Sequence, residues 1–281
     1  MNRFNNRTDE GTPQLRRYGV AMEHQERALS AYVAQVAADP QVLGVVLIGS
    51  LARGTERDDS DVDVYLVVTE EAFARAGAED RWAWIDRHGV DYPGSYIDVK
   101  LADLAYLRTA VDRADDPTRA SFAGARVAFT RTDELEPLVQ AVSALDDEVW
   151  AGRVSSHIAQ AHLHGGYFLR QAEERDDPFL LQHAAVHLAF AAARAAIAAD
   201  HRLMPGPKYI HRLVREVPSA DGFVAAWDRL VAEPSTASAE ALTTILDDWL
   251  GGGQTRDESL SIFIRDNELA WLRGTTPAEY F

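Results

Sequence analysis

The sequence predicts an α+β protein, with an N-terminal mixed sheet carrying helices and a C-terminal helical bundle. Three observations predict it. Val42–Val68 reads VLGVVLIGSLARGTERDDSDVDVYLVV, two apolar strands flanking a polar connection. Ile97, Val99 and Leu101 alternate with Tyr96, Asp98 and Lys100, the period of a half-buried strand. From Val149 onward the pattern is helical, punctuated by Asp177-Pro178, Pro205-Gly206-Pro207, Pro218, Pro234 and Gly251-Gly252-Gly253. The expected organisation is a disordered arm over residues 1–17, a sheet-containing domain over 18–146 and a helical domain over 147–281.

Residues 1–17 are polar and lack periodicity, which is the basis for the arm. Met22, Leu29, Val33 and Val36 recur at helical spacing and predict a helix from Met22 to Ala38. Asp39-Pro40 ends it, because a residue before proline is driven out of the helical region. Val42–Ile48 is apolar throughout, as a strand covered on both faces requires. Gly49-Ser50 turns the chain, Gly54 serves a second turn, and the next strand opens at Asp61. Glu70–Gly89 reads as a mixed helical stretch, although Trp82 and Trp84, two apart, cannot share one helix face. A strand follows over Ser95–Leu101, and Asp103 is the expected N-cap of a helix over Leu104–Ala110. Residues 111–121 read as a polar loop, Arg126–Thr130 as the last strand, and Asp133 as the cap of a helix over Leu135–Ala144. The predicted helices of the second half are Val149–Glu174, Pro178–Asp200, Lys208–Glu216, Gly222–Ala232, Ala237–Leu250 and Arg256–Arg273. Trp227, Trp249 and Trp271 are expected in its core.

The chemistry concentrates in Val42–Val68. Strand side chains alternate faces, so Asp61 and Asp63 project together. Two adjacent carboxylates repel unless a cation lies between them, and an oxygen-only donor set suits Mg²⁺. Gly49 and Ser50, at the end of a strand that leads into a helix start, offer backbone N–H groups and a hydroxyl to an anion. Arg53 either leans on a phosphate or stands solvated in the turn. Lys208 opens a predicted helix, where its charge opposes the helix dipole and a nearby anion would offset the cost; the adjacent Tyr209 is expected to share that nucleotide site. His183 and His187 lie one helical turn apart, half of a zinc-ligand pattern. His157, His162 and His164 do not complete a familiar set, so packing or cleft-lining roles are expected for these histidines.

The ordered combination Gly49-Ser50…Ser60-Asp61-Val62-Asp63 resembles the signature of the nucleotidyltransferase superfamily, with its DNA polymerase β-like fold. That group includes aminoglycoside and lincosamide nucleotidyltransferases. The resemblance implies a third acidic residue on a later strand, as metal ligand or general base; Asp98, about 35 residues after Asp63, holds that position. It also implies phosphate contact by Ser60, and contact between Lys208 and a nucleoside triphosphate, which would put the active site in an interdomain cleft. The implied cofactor is Mg²⁺, one or two ions, with ATP as the expected nucleotide donor. The implied reaction is transfer of AMP to a hydroxyl of a small acceptor such as an aminoglycoside-like antibiotic. Protein AMPylation, as in antitoxin-type enzymes, and non-catalytic nucleotide binding are the alternatives.

Composition narrows the partners. Twenty-eight Lys and Arg face 44 Asp and Glu, a net charge of -16. That balance disfavours stable nucleic-acid binding, which relies on cationic side chains at phosphates, and suits a cationic or neutral small acceptor, or a protein. Cysteine is absent, which excludes disulfides and thiolate metal sites. No apolar run approaches the roughly 20 residues of a membrane span, and the N-terminus has no signal-like apolar segment. A cytoplasmic protein without membrane association is expected, and its oligomeric state stays open.

Overall fold

The computed structural model describes residues 13–92 and 96–280. Most of the expected arm, residues 1–12, and Ser95 lie outside the described residues. The chain forms two compact units, residues 1–112 with 121–143 and residues 113–120 with 144–281. The second unit thus takes in a segment that the sequence reading assigned to the first.

In the first unit, α1 spans Pro13–Val36, so residues 13–17, expected in the arm, are helical. It leads to β1 (Val42–Ile48), the short α2 (Gly49–Arg53), β2 (Val62–Val68), α3 (Glu70–Ala78), β3 (Ala83–Asp86) and β4 (Ile97–Asp103). Then come α4 (Leu104–Arg113), α5 (Asp116–Phe122), β5 (Arg126–Thr130) and α6 (Leu135–Val142), the division between units falling within α4 and α5. The five strands form one sheet in the order β3-β4-β2-β1-β5. β2 and β4 run parallel, and every other pairing is antiparallel.

Strand alternation sorts the sheet into two faces. Val45, Leu47, Val62, Val64, Leu66, Ile97, Val99 and Leu101 point to one side. There they meet Ala28, Leu29 and Tyr32 of α1 and Phe73 and Ala76 of α3. The intervening residues, Asp63 and Asp98 among them, point to the other side. Burying each Val, Leu or Ile contributes about 1.5–3 kcal/mol. A one-residue slip of β2 would turn Asp63 into this core and Val62, Val64 and Leu66 out of it, so the core fixes which face the carboxylate occupies.

Several elements differ from expectation. The stretch Glu70–Gly89 is a helix only to Ala78; Ala83–Asp86 pairs with β4 as an edge strand. An edge strand buries little, and this one alternates exposed and half-buried residues, so no apolar run marks it. It also settles the two tryptophans: Trp84 packs on the core, while Trp82 lies against Phe73, half exposed. The loop expected over 111–121 is largely helical, since α4 continues to Arg113 and α5 occupies Asp116–Phe122. Asp103 caps α4 as expected, its carboxylate accepting from the Tyr106 N–H at 2.6 Å. Asp133 does not cap α6; Glu134 takes the cap position without a side-chain capping bond, its carboxylate accepting instead from Arg108, and its N–H donates to the Thr132 hydroxyl.

The second unit is built on α7 (Asp147–Leu163), α8 (Leu169–Glu174), α9 (Pro178–Ala199), α10 (Ile210–Glu216), α11 (Phe223–Ala232), α12 (Thr236–Leu250) and α13 (Arg256–Phe263). Two predicted helices are interrupted by π turns, at His164–Phe168 between α7 and α8 and at Ile264–Glu268 after α13. Lys208 does not open a helix directly; it sits in a 3₁₀ turn, Pro207–Tyr209, that precedes α10. Asp177 caps α9 by accepting from the Leu180 N–H at 3.0 Å, with Pro178 in the first turn. Its alanines, from Ala184 to Ala198, are buried and let neighbouring helices approach closely. Contrary to the sequence expectation, α9 is long and apolar enough to cross a membrane by length and composition, and 61% of that window is buried within the fold. Arg194, in its C-terminal half, is buried; burial brings its guanidinium down to about 10, and Nη1 donates to the Ala278 carbonyl at 2.8 Å. Of the three tryptophans expected in this core, Trp227 is buried, Trp249 packs against the core and Trp271 is 72% exposed.

Gly44 marks the tightest point of the sheet. A Cβ there would lie 2.2 Å from Leu135 Cδ2 and 2.8 Å from the Phe129 carbonyl oxygen. Leu135 is fully buried and the carbonyl is backbone, so neither retreats easily. Gly44→Ala is expected to destabilise the protein by about 1–3 kcal/mol, read as a lower urea midpoint.

Candidate active site

The parallel pairing of β2 with β4 places Asp63 directly beside Asp98. Neighbouring strands lie about 4.8 Å apart, so two carboxylates stand side by side on the face opposite α1. Asp61, two residues before Asp63, completes the group just ahead of β2. All three are partly exposed. The Asp63 carboxyl is pushed above its ordinary value of 3.8 chiefly by burial, then by the charges of Asp61 and Asp98. Lys100 and Arg53 act in the opposite sense and do not reverse the shift.

The turn after β1 comes against the same group. Ile48 is the register partner of Asp63, and Gly49 follows with φ +74°. A Cβ on Gly49 would lie 2.0 Å from Asp63 Oδ2, so both the left-handed backbone and the close approach require glycine. Gly49 and Ser50 open α2, where N–H groups lack partners inside the helix. Gly54 ends α2 in the left-handed conformation, serving the turn expected of it. Arg53 is exposed in the last turn of α2.

The loop that leads to Asp61 is tied down locally. Ser60 Oγ accepts from the Arg57 N–H at 2.8 Å, and the Ser60 carbonyl accepts from the Tyr92 hydroxyl at 3.0 Å. Gln25 of α1 donates to the Arg57 carbonyl at 3.1 Å. Ser60 therefore shapes the turn, whatever else its hydroxyl meets. Tyr96 is a participant that the sequence reading did not assign. Its hydroxyl hydrogen-bonds the Asp61 carboxylate, and that bond with the surrounding negative charge raises the phenol. The alternation that puts Tyr96 on the face of Asp98 was the available signal.

Lys208 and Tyr209 belong to the second unit. Lys208 is exposed, with Nζ 4.9 Å from the centroid of the Tyr209 ring. His183 and His187 lie on α9, and the structure brings His164 to them, the partner that sequence spacing missed.

The donor set at the sheet fits a hard divalent cation. It is oxygen-only, it gathers three carboxylates, and their mutual repulsion leaves a deficit of positive charge. Residues 30–106, from the last turns of α1 to the start of α4, match the family described as the nucleotidyltransferase domain. The chain carries a polymerase β-like nucleotidyltransferase domain. Such a domain marks the protein as a nucleotidyl-transferring enzyme, and Asp61, Asp63, Asp98 and the Gly49-Ser50 turn all fall within it. No curated protein matches the chain. Among solved structures it is similar to a nucleotidyltransferase-like protein from Exiguobacterium sibiricum 255-15, at 13% identity and a TM-score of 0.48. That likeness covers 86% of this chain and 79% of the other.

The raised Asp63 carboxyl gives a pH signature in metal-free protein. A folded-state value above the unfolded one means that ionising Asp63 costs stability. The cost is absent below the ordinary carboxylate range, grows as pH rises through the window up to the raised value, and is complete above it. Asp63→Asn should therefore raise the melting temperature near neutral pH in the presence of a chelator, and the gain should vanish on acidification below the ordinary value of 3.8. A gain that does not depend on pH would refute the electrostatic account.

Proposed function

We propose that the nucleotidyltransferase domain transfers AMP from ATP to a hydroxyl of a small cationic acceptor of the aminoglycoside kind, releasing pyrophosphate. The observation that carries this reading is the convergence of Asp61, Asp63 and Asp98 beside the Gly49-Ser50 turn. In this reading the acceptor oxygen attacks the α-phosphorus, the bond to the β-phosphate breaks, and Asp98 receives the hydroxyl proton. Gly49 N–H and the Ser50 hydroxyl bind the β- and γ-phosphates, with Arg53 and Ser60 at the rim. Tyr96, by donating to Asp61, orients that carboxylate. Mg²⁺, held by Asp61 and Asp63, would supply charge neutralisation on the triphosphate and activation of the acceptor oxygen. The chain's share of catalysis is positioning and electrostatics. The net charge of -16 supports a cationic acceptor through long-range attraction.

Labelled ATP with Mg²⁺, offered to aminoglycosides, lincosamides and cell lysate in parallel, decides the acceptor. Label on an antibiotic supports the reading, and label confined to lysate proteins replaces it with protein AMPylation. Asp61→Asn and Asp98→Asn should each lower pyrophosphate release by about 10²-fold or more with the circular dichroism spectrum unchanged. Turnover retained in both would sink the site. Lys208 is proposed to contact the triphosphate. On that basis Lys208→Ala should raise the KM for ATP about tenfold, the loss of one charge-assisted bond; an unchanged KM would remove Lys208 from nucleotide binding.

A further inference from the structure

The second unit holds a cluster of histidines outside the carboxylate site. His183 and His187 sit one turn apart on α9, and the π turn after α7 brings His164 beside them. The ring centroids lie 4.2 Å apart for His183–His187, 4.8 Å for His164–His187 and 6.0 Å for His164–His183. One nitrogen from each ring lies within 4.8 Å of those of the other two. A π turn is a frequent mark of a functional site, because it re-aims a side chain that a regular helix would direct elsewhere.

Glu279 organises two of the rings. Its Oε1 accepts from His164 Nε2 at 2.7 Å and lies 3.1 Å from His187 Nδ1. The carboxylate is itself positioned: the Glu279 N–H donates to Asn267 Oδ1 at 2.7 Å, and Arg194 holds the preceding carbonyl of Ala278. A nitrogen that donates to a carboxylate leaves the other ring nitrogen with a lone pair. For His164 that other nitrogen, Nδ1, is buried and has no hydrogen-bond partner. A buried acceptor without a partner is costly, and a metal ion would satisfy it. A carboxylate behind a ligating imidazole is the usual supporting arrangement for zinc.

We infer that His164, His183 and His187 form a site for a divalent transition metal of the zinc class, with Glu279 fixing two of its imidazoles. Three imidazole ligands are a set that zinc accepts while keeping a fourth position open. His164, His183 and Glu279 line a cavity of about 730 Å³, which provides room for an exchangeable ligand at that position. Zinc–nitrogen bonds of about 2.0–2.1 Å place ligand nitrogens about 3.4 Å apart in a tetrahedron. His183 is exposed and free to swing inward by the ångström or so that this requires.

The test uses the full chain without a polyhistidine tag, stripped with a chelator and titrated with Zn²⁺ against a chromophoric competitor; Co²⁺ serves as a spectroscopic substitute. The expected result is one Zn²⁺ per chain with a Kd below about 1 μM, and visible Co²⁺ bands of a tetrahedral nitrogen site. His183→Ala and His187→Ala, at positions outside the buried core, should weaken binding by at least about 100-fold, and Glu279→Gln by about 10–100-fold. Absence of stoichiometric binding, or binding undiminished in His183→Ala, would overturn the inference. The Asp61→Asn/Asp63→Asn double variant should keep the Zn²⁺ stoichiometry. Loss of the ion there would place it at the carboxylates and equally refute the histidine site.

Discussion

Like charges held side by side are the constraint on which the first unit turns. Asp63 and Asp98 are register partners in a parallel pairing, a juxtaposition that disfavours the sheet by itself. The opposite face offsets it: Val62, Val64, Ile97 and Val99 are fully buried under α1, and their positions compel the aspartates to share the other side. A sheet so built stores electrostatic repulsion at one place and holds it there with hydrophobic packing. In the proposed reading a divalent cation between the carboxylates would relieve that repulsion, so the charge that costs stability at Asp63 would favour binding of the metal.

The close approach of Gly49 to Asp63 extends this logic to the phosphate side. Had any side chain stood at Gly49, the turn would have been pushed off the carboxylate. The Gly49-Ser50 turn and the carboxylates are thus in close contact, the juxtaposition that the proposed metal-bound nucleoside triphosphate would require. Tyr96 and the bonds of Gln25 and Tyr92 to the loop before Asp61 add rigidity without adding charge.

Much of this was legible in the sequence because the first unit obeys short-range rules. Two apolar strands, a glycine turn and alternating aspartates are patterns over fewer than ten residues each, and β1, β4 and β5 emerge close to where those patterns put them. The failures share a cause. β3 is an edge strand whose partner, β4, lies some residues later, and its half-exposed side chains carry no period that separates strand from helix. α5 looked like a loop because its Asp-Asp-Pro start is polar, and such residues open a short helix as readily as they break one. Nothing in the spacing of Asp133 separates a cap from an ordinary turn residue, and the backbone chose Glu134.

The histidine cluster shows a different limit. His183 and His187 were visible as a helical pair, but the third ring comes from a separate helix, nineteen residues before His183, and only through a local π turn. A regular α-helix continued through Gly165-Gly166 would rotate His164 away by the angle of one extra residue, about 100°. Gly165 is also where α9 and α12 press in, since a Cβ there would meet Leu188 and Thr243 at 3.1 Å. This close packing at Gly165 accompanies the widened turn, and the widened turn brings His164 to α9. The chemistry of this unit therefore depends on packing between helices, whereas that of the sheet depends on strand register, and only register can be read from alternation in the chain.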